Sequence, residues 1–315
     1  MPNNIGVRSP YFLTVQYSTG VSFELRITIN GTLRYELLKD GAGSATFEIA
    51  ELIRDYINIS YNGTMPTASD YTTNSNGYIA DVSLGWNGFD SGGSVVNPGG
   101  VSLVAYDAYK FFDENYYNYT YPSNEVLVTT DTVWLPEGEQ MTIYYTNATV
   151  LTAYGIGATH PEGNILQQGY TLNIKRYPCT KYDPTKLVFV NRFGILQELW
   201  FFGRTTESAS SNSEQYKSSN IASNGSYNRY EHQFKRFNSN GKKRYVVNSG
   251  FVDEGYNDSV NELMLSEQVW MHIDNNVIPV NVLTSDVTYK TSLNDKLVQH
   301  TLEVEQAYDL ISTMR

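Results

Sequence analysis

The 315-residue chain has one cysteine, Cys179, and few charged residues, which make up 17% of it against about 25% in an average globular protein. A lone cysteine excludes an internal disulfide, a Cys-based zinc site and a redox pair, and such a residue is most often a small buried hydrophobe. The histidines are also scattered singly, at His160, His232, His272 and His300.

The sequence lacks segments that would export or anchor a protein. Its first residues, MPNNIGVRSPYF, do not show the charged-then-apolar pattern of a secretory signal. No window approaches the roughly 20 apolar residues of a membrane helix. We therefore expect a protein that is made in a cytoplasm, is not exported by an ordinary signal and does not insert into a membrane.

The formal net charge is −11, from 33 acidic and 22 basic residues. Such a charge repels phosphate backbones and predicts no nucleic-acid partner, although solubility alone is a sufficient reason for it. Asn, Ser, Thr and Tyr replace the missing charged residues, and the 26 Tyr outnumber the 13 Phe. Because a tyrosine ring is apolar at one end and polar at the other, tyrosine suits both sheets and protein-contact surfaces.

Recognisable catalytic motifs are absent from the sequence: there is no Gly-rich phosphate loop, His-Glu-x-x-His or Gly-x-Ser-x-Gly. The carboxylate pairs Asp253-Glu254 and Asp113-Glu114 are adjacent in the chain, whereas a glycosidase needs two carboxylates facing each other across a cleft. His300 and Glu303, three apart in a predicted strand, point to opposite faces and cannot share a metal. The sequence therefore predicts no enzyme, no cofactor and no metal site.

The most apolar stretch is Leu187–Phe202, LVFVNRFGILQELWFF. Leu187–Val190 and Ile195–Phe202 are rich in the residues that suit strands. Asn191–Gly194 separates them, with a turn-type residue at each end. We predict two strands joined by a short turn in the core of a sheet, with Gly194 at a positive φ.

Patterns elsewhere indicate further strands and a few helices. Val21–Ile29 alternates apolar and polar residues, and Asn30-Gly31 predicts a hairpin turn into the next strand. Between 125 and 174 short strands recur every 8–12 residues or so, which is typical of sandwiches and barrels. Apolar spacings of three and four predict short helices over about 48–58 and 258–266, and a last helical turn is expected over Ala307–Ile311.

The expected fold is all-β, with two β-sandwich-like domains and a few short helices. Pro122-Ser-Asn124 marks the expected boundary between an N-terminal domain, 1–122, and a β-rich C-terminal region, 123–315. The proline-containing stretch 178–184 is a candidate internal seam of the second region.

Two segments are candidate contact surfaces. Gly85–Gly100 has the composition of a long loop, and loops of that length are usually functional or flexible. Tyr106–Tyr121 is dense in Tyr and Phe; a buried corner with a Tyr-rich turn is the favoured interpretation, and a binding patch is the alternative. The possible interaction surface comprises Trp86, Phe89, Tyr109, Tyr116, Tyr117, Tyr119 and Tyr121.

The polar stretch Thr205–Arg244 contains two further turn signals. Hairpins are expected around Asn224-Gly225 and around Asn240-Gly241.

Three segments taken together resemble one protein family. They are FEIAELIRDYI (Phe47–Ile57), FVNRFGILQELWFF (Phe189–Phe202) and a C-terminal set, Asn248–Met271, Ile278–Val282 and Tyr289–Arg315. In this order and spacing they are similar to a family of tailed-bacteriophage virion proteins from phages of Bacteroidetes and marine bacteria, mostly described only as structural or tail proteins. Residues 60–120 depart most from the family's pattern.

The resemblance implies a structural subunit of a phage virion, in the tail or baseplate, that binds other virion proteins and forms a homo-oligomeric ring or trimer. Such a subunit assembles in the host cytoplasm and is then located in the virion. The resemblance carries over no catalytic residues. The alternatives are a head–tail connector or fibre-anchoring adaptor, and, in a different class, an adhesin that binds host-surface glycan. A depolymerase-type enzyme comes third.

Overall fold

The computed structural model describes residues 3–147, 150–157, 160–167, 170–178, 181–286 and 297–311. Within them the chain forms 19 strands, two α-helices and three short 3-10 helices. The prediction of an all-β fold is confirmed. Cys179 and residues 287–292, whose sequence predicts a strand, lie outside the described residues, and the domain division at residue 122 stays a prediction.

The N-terminal part pairs a five-stranded sheet with a two-stranded one. The strands are β1 (Asn3–Gly6), β2 (Phe12–Gln16), β3 (Ser22–Ile29), β4 (Thr32–Asp40), β5 (Ser44–Glu48), β6 (Ile79–Phe89) and β7 (Val95–Tyr106). The larger sheet has the order β1-β7-β6-β3-β4, in which only β1 and β7 run parallel, and β2 pairs with β5. Phe23, Leu25 and Ile27 of β3 and Phe47 of β5 are buried in the core between the two sheets.

The C-terminal part contains a seven-stranded antiparallel sheet and two smaller sheets. Its strands are β8 (Thr132–Pro136), β9 (Met141–Asn147), β10 (Val150–Ile156), β11 (Gly163–Gln167), β12 (Tyr170–Tyr177), β13 (Thr185–Val190), β14 (Leu196–Phe201), β15 (Thr206–Lys217), β16 (Phe234–Asn248), β17 (Val269–Ile273), β18 (Asn276–Val282) and β19 (Thr301–Gln306). The large sheet has the order β14-β13-β17-β18-β19-β16-β15, and the small sheets are β9-β10 and β11-β12-β8. Side chains from all three sheets contribute to one core.

The helices are α1 (Ala50–Arg54), α2 (Tyr256–Leu265) and 3-10 turns at Ala68–Tyr71, Asn74–Asn76 and Phe112–Glu114. The helix expected over 258–266 is confirmed as α2. The helix expected over 48–58 is shorter than predicted: β5 includes Glu48, and the helix ends at Arg54. After Arg54 the backbone N–H of Tyr56 donates to the Ile53 carbonyl (3.0 Å) in the tighter i→i+3 pattern that ends a helix.

Three loop or turn predictions are wrong. Most of 85–100 lies in the hairpin of β6 and β7, because Trp86 covers Gly99 across the strands: a Cβ at Gly99 would lie 2.6 Å from the indole ring. Asn240-Gly241 lies inside β16 and forms no turn. Residues 307–311 are not helical but run beside β16, where Leu310 N donates to Gly241 O (2.8 Å).

The predicted central hairpin is β13 and β14, and it is buried on both faces. Leu187 and Phe189 face the C-terminal core, while Val188 and Val190 between them face a second core on the other side of the sheet. The sequence of the hairpin is therefore nearly continuously apolar, as is typical of strands that are buried on both faces.

The second core, which we call the Tyr-rich core, connects the two halves of the chain. Seven of its residues are buried tyrosines: Tyr61, Tyr71, Tyr78, Tyr106, Tyr119, Tyr121 and Tyr144. Two of their hydroxyls bond across the chain: the Tyr71 hydroxyl accepts from Leu196 N of β14 (3.0 Å), and the Tyr144 hydroxyl donates to Pro66 O (2.6 Å). These bonds join residues from before 122 to residues after it.

The turn of the central hairpin touches the N-terminal half of the chain. Gly194 has φ +69°, and a Cβ there would lie 2.8–3.0 Å from the backbone of Asp107. Gly31, in the β3–β4 turn, has φ +76° with open space around it. The two glycines have similar conformations and differ in crowding.

We expect Gly31→Ala to lower the free energy of unfolding by about 1 kcal/mol, since it adds only the left-handed backbone strain. Gly194→Ala should cost about 2 kcal/mol more, because the methyl group also overlaps Asp107. Urea unfolding of both variants measures the difference. Equal losses would show that the two halves are not in tight contact at this turn.

Candidate interaction surface

Trp86 and Phe89, predicted to lie on a contact loop, are in β6. Both are half-buried, and Trp86 packs on the N-terminal core as well as on Gly99. Trp86 therefore helps to cover this core.

Tyr116 and Tyr117 are brought together and are accessible. Tyr116 stacks on Phe112 with ring centroids 4.8 Å apart and meets Tyr117 edge-on at 6.1 Å. Phe112 and Tyr117 are exposed. Tyr109 is half-buried and lies against Phe111 and the guanidinium of Arg8. In the described chain, no ring contact joins this group to Trp86 or Phe89.

Tyr119 and Tyr121 do not belong to an exposed surface, which corrects their assignment to the interaction surface. Both are 4% exposed and belong to the Tyr-rich core. Tyr121 stacks on Tyr106 at 4.0 Å, and the ring of Tyr119 lies directly on Gly6, where a Cβ would be 2.3 Å from it. Close packing on a glycine allows this part of the Tyr-rich segment to turn inward.

A more exposed feature lies where the sequence is polar. Strand β16 pairs with β19 only over residues 244–248, and Leu310 and Ile311 bond to Asn240 and Gly241, so that in the described chain 234–239 have only β15 beside them. Residues 206–243, which we call the arm, therefore form a two-stranded ribbon that continues beyond the sheet, with a loop at 218–233. At about 3.4 Å per residue the unsupported part of β16 is about 20 Å long.

The arm presents large apolar side chains to solvent. They are Tyr216, Ile221, Tyr227, Tyr230, Phe234 and Phe237, and Tyr230 is 89% exposed. Their order along the strands places them on both faces: Tyr216 and Phe237 are in edge-on contact (5.7 Å) on one face, and Phe234 lies opposite Lys217 on the other. The concentration of exposed apolar groups on one projecting element makes the arm a candidate interaction site.

Sequence reasoning identified the turn at Asn224-Gly225 but not the exposure of the aromatic residues around it. In the structure Gly225 has φ +79°, and its N–H donates to Ala222 O (2.9 Å). Two sequence signals could have found the site: aromatic residues placed in an otherwise Ser- and Asn-rich stretch, and the excess of Lys and Arg from 217 to 244.

The rest of the chain outside the arm, which we call the body, has ion pairs that join its two halves. Arg8 and Arg54 both pair with Glu267, at 2.5 and 2.6 Å, and both face Asp107, at 3.4 and 3.9 Å. Burial raises the pKa of Asp107, and the two guanidinium groups oppose this shift. Burial also opposes ionisation of Glu267, but the hydrogen bond from Arg54 and both Arg charges outweigh it and lower its pKa.

A second polar contact at the junction centres on Glu262 of α2, which is 1% exposed. Its carboxylate accepts hydrogen bonds from the Thr129 hydroxyl and from Arg192 N (3.2 Å), and the Arg192 side chain pairs with Glu114 (2.9 Å). Burial raises the pKa of Glu262 to about 7, against the effect of both hydrogen bonds and the Arg192 charge.

Two of the carboxylates considered for catalysis, Asp253 and Glu114, have structural partners. Asp253 pairs with Lys175 (2.8 Å) and accepts from the Trp134 indole N–H (3.2 Å). Buried His300 stacks on Tyr256, whereas Glu303 faces Arg244 at 3.7 Å.

Protonation of Glu262 should make the stability of the protein depend on pH. Its folded-state pKa of about 7 lies above the usual 4.5, so the folded state holds a proton that the unfolded chain has lost between these values. The stability that this proton contributes is therefore fully present below pH 4.5 and is lost as the pH rises through 7.

Between about pH 4.5 and pH 8 the free energy of unfolding of the wild type should fall by about 3 kcal/mol relative to that of Glu262→Gln, because glutamine cannot ionise. Chemical unfolding of both proteins at several pH values measures this difference. Glu254→Gln, at an exposed position just before α2, is the matched control and should follow the wild type. Parallel pH profiles for the wild type and Glu262→Gln would contradict the assignment.

The described residues include no cluster of three or more His, Cys, Asp or Glu arranged to hold a metal ion. None of the helices in this part of the chain has the length and apolar character to cross a membrane. In comparisons with known proteins, no family profile, curated protein or solved structure matches the chain.

Proposed function

We propose that the chain is a structural subunit of a bacteriophage virion, in the tail or baseplate, which binds other virion proteins and further copies of itself in a ring or trimer. The observation that carries this proposal is the arm, which holds Tyr227, Tyr230 and Phe234 in solvent on a ribbon beyond the sheet. Aromatic residues of this kind are enriched at the centres of protein interfaces.

The braced body supports the same role. A component of a particle must keep its shape in contact with neighbouring subunits. The central hairpin, which is buried on both faces, and the ion pairs of Arg8 and Arg54 join the two halves of this chain. The resemblance of the middle and the ends of the sequence to phage virion proteins points the same way. In this role the chain needs no catalytic residue, cofactor or metal ion, and it leaves the host cytoplasm in the assembled virion. A head–tail connector or fibre-anchoring adaptor would use contacts of the same kind.

Quantitative mass spectrometry of purified particles of the phage that encodes the chain tests the proposal. The chain should be present in a fixed copy number that is a multiple of three or six, as expected for a symmetric ring or trimer. A phage-encoded replication protein, expressed in the same infected cells, is the control and should be lost on purification. Absence of the chain from the particles would end the proposal.

A glycan-binding adhesin is the second candidate, and the arm's loop favours it. A hollow of about 600 Å³ there is lined by Tyr227, Asn228 and Arg229, among others. An aromatic face beside hydrogen-bonding side chains suits a sugar ring, which is apolar on its C–H face and carries hydroxyls at its rim. Host cells should then deplete the purified protein from solution but not its Tyr227→Ala variant, and equal recovery of both after incubation with cells would remove this candidate.

A further inference from the structure

The arm differs in charge from the rest of the chain. Residues 206–243 contain six of the 22 Lys and Arg but only three of the 33 Asp and Glu, giving them a net charge of +3, whereas the remaining residues carry −14. A basic projection on an acidic body is complementary to the body of another copy of the same molecule.

The distal cations of the arm are available for such a contact. Lys242 and Lys243, near the base, pair with Glu305 and Glu207. By contrast, the distal residues form no ion pair within the described part of the chain; they are Lys217, Arg229, Lys235 and Arg236.

Each face of the ribbon combines aromatic and basic side chains. By the strand register, Tyr216 and Phe237 share a face with Lys235, and Phe234 shares the other face with Lys217 and Arg236. An acidic protein surface can cover the aromatic rings and pair with the cations at their rim, which is the usual anatomy of an interface.

We propose that the arm of one molecule docks on the acidic body of a second copy of this chain. Because arm and body are different surfaces, the contact is heterologous, and repetition of it generates a closed ring or a stack. An isolated two-stranded ribbon is only marginally stable in water, so docking also stabilises the arm itself. This inference rests on the proposed role in assembly and names the surfaces that would carry it.

A second copy fits the arm better than a nucleic acid does. A phosphate backbone would meet only a small net positive charge on the arm and strong repulsion from the body. The body of a second copy repels the first body as well, but its surface can also cover the aromatic rings of the arm, as a protein interface does.

The test measures self-association of the full-length chain by sedimentation velocity. Raising NaCl from about 0.05 M to about 0.5 M should weaken association, since the contact is electrostatic. The triple variant Lys217→Glu, Lys235→Glu, Arg236→Glu should associate at least about tenfold more weakly than the wild type. The matched control reverses three exposed cations outside the arm, Arg34→Glu, Lys181→Glu and Arg204→Glu, and should still associate.

A mixing experiment establishes the direction of the contact. The arm variant keeps an acidic body, so a wild-type arm should still dock on it. Because its own arm does not dock, the variant should terminate the assembly and give mixed dimers and shorter oligomers. Mixed species that fail to form would indicate an arm–arm contact and overturn the inference. The milder set Lys217→Gln, Lys235→Gln, Arg236→Gln should give an intermediate effect and keeps the test valid if the reversed set does not fold.

Other results would also overturn the inference. These are a wild-type chain that stays monomeric, an arm variant that associates like the wild type, or an arm that binds a short DNA duplex while the chain remains monomeric. A monomeric chain that is nevertheless present in purified particles overturns arm docking and leaves the proposed function intact. Arm-dependent oligomers of a chain that is absent from particles would support arm docking and overturn the proposed function.

Discussion

The structure depends on burial of the β13–β14 hairpin on both of its faces. One face packs into the C-terminal core, and the other packs into the Tyr-rich core, to which the first half of the chain contributes. Strands covered on both faces need apolar residues at nearly every position, and Leu187–Phe202 supplies them. The N-terminal half is therefore not joined to the rest by a linker alone, because it covers a face of the hairpin that would otherwise be exposed to water.

Burial of this hairpin requires partners for the polar groups near it, because an unpaired buried polar group is costly; the Trp200 indole N–H is an exception. Asn191 meets the requirement with both ends of its amide: the carbonyl accepts from Phe193 N and Ile195 N, and the amino group donates to Leu127 O and Gln197 Oε1. Glu198, in the middle of β14, pairs with Lys186 (2.7 Å) and accepts from Thr142 N (2.9 Å). These contacts remove the cost of unpaired buried polar groups, and they restrict the hairpin to one register.

Sequence patterns predicted the elements whose periodicity follows from burial. The alternation of Val21–Ile29, the Asn30-Gly31 turn and the apolar stripe of α2 each follow from a face turned to a core. Tyr119 and Tyr121 were not predictable in the same way, since tyrosine suits interior and surface alike, and only the fold places them against Gly6 and Tyr106. The turn of the arm at Asn224-Gly225 was expected, but the exposure of its aromatic residues was missed: its composition is that of a loop, and its strands pair with each other and do not pack on a core. Helix α1 was predicted too long because the apolar spacing continues past Arg54, where the backbone changes to the i→i+3 pattern.

Strand β16 runs as one strand from the arm into the large sheet, where Tyr245 and Val247 are buried, with one irregularity at Asn238, whose φ is +50°. A force on the tip of the arm is therefore transmitted into the sheet along a strand and not through a loop. Because β15 and β16 are joined at the tip, such a force pulls both in the same direction and loads the bonds between β16 and β19 together, in shear. The molecule is accordingly suited to bear mechanical load along the axis of its projection.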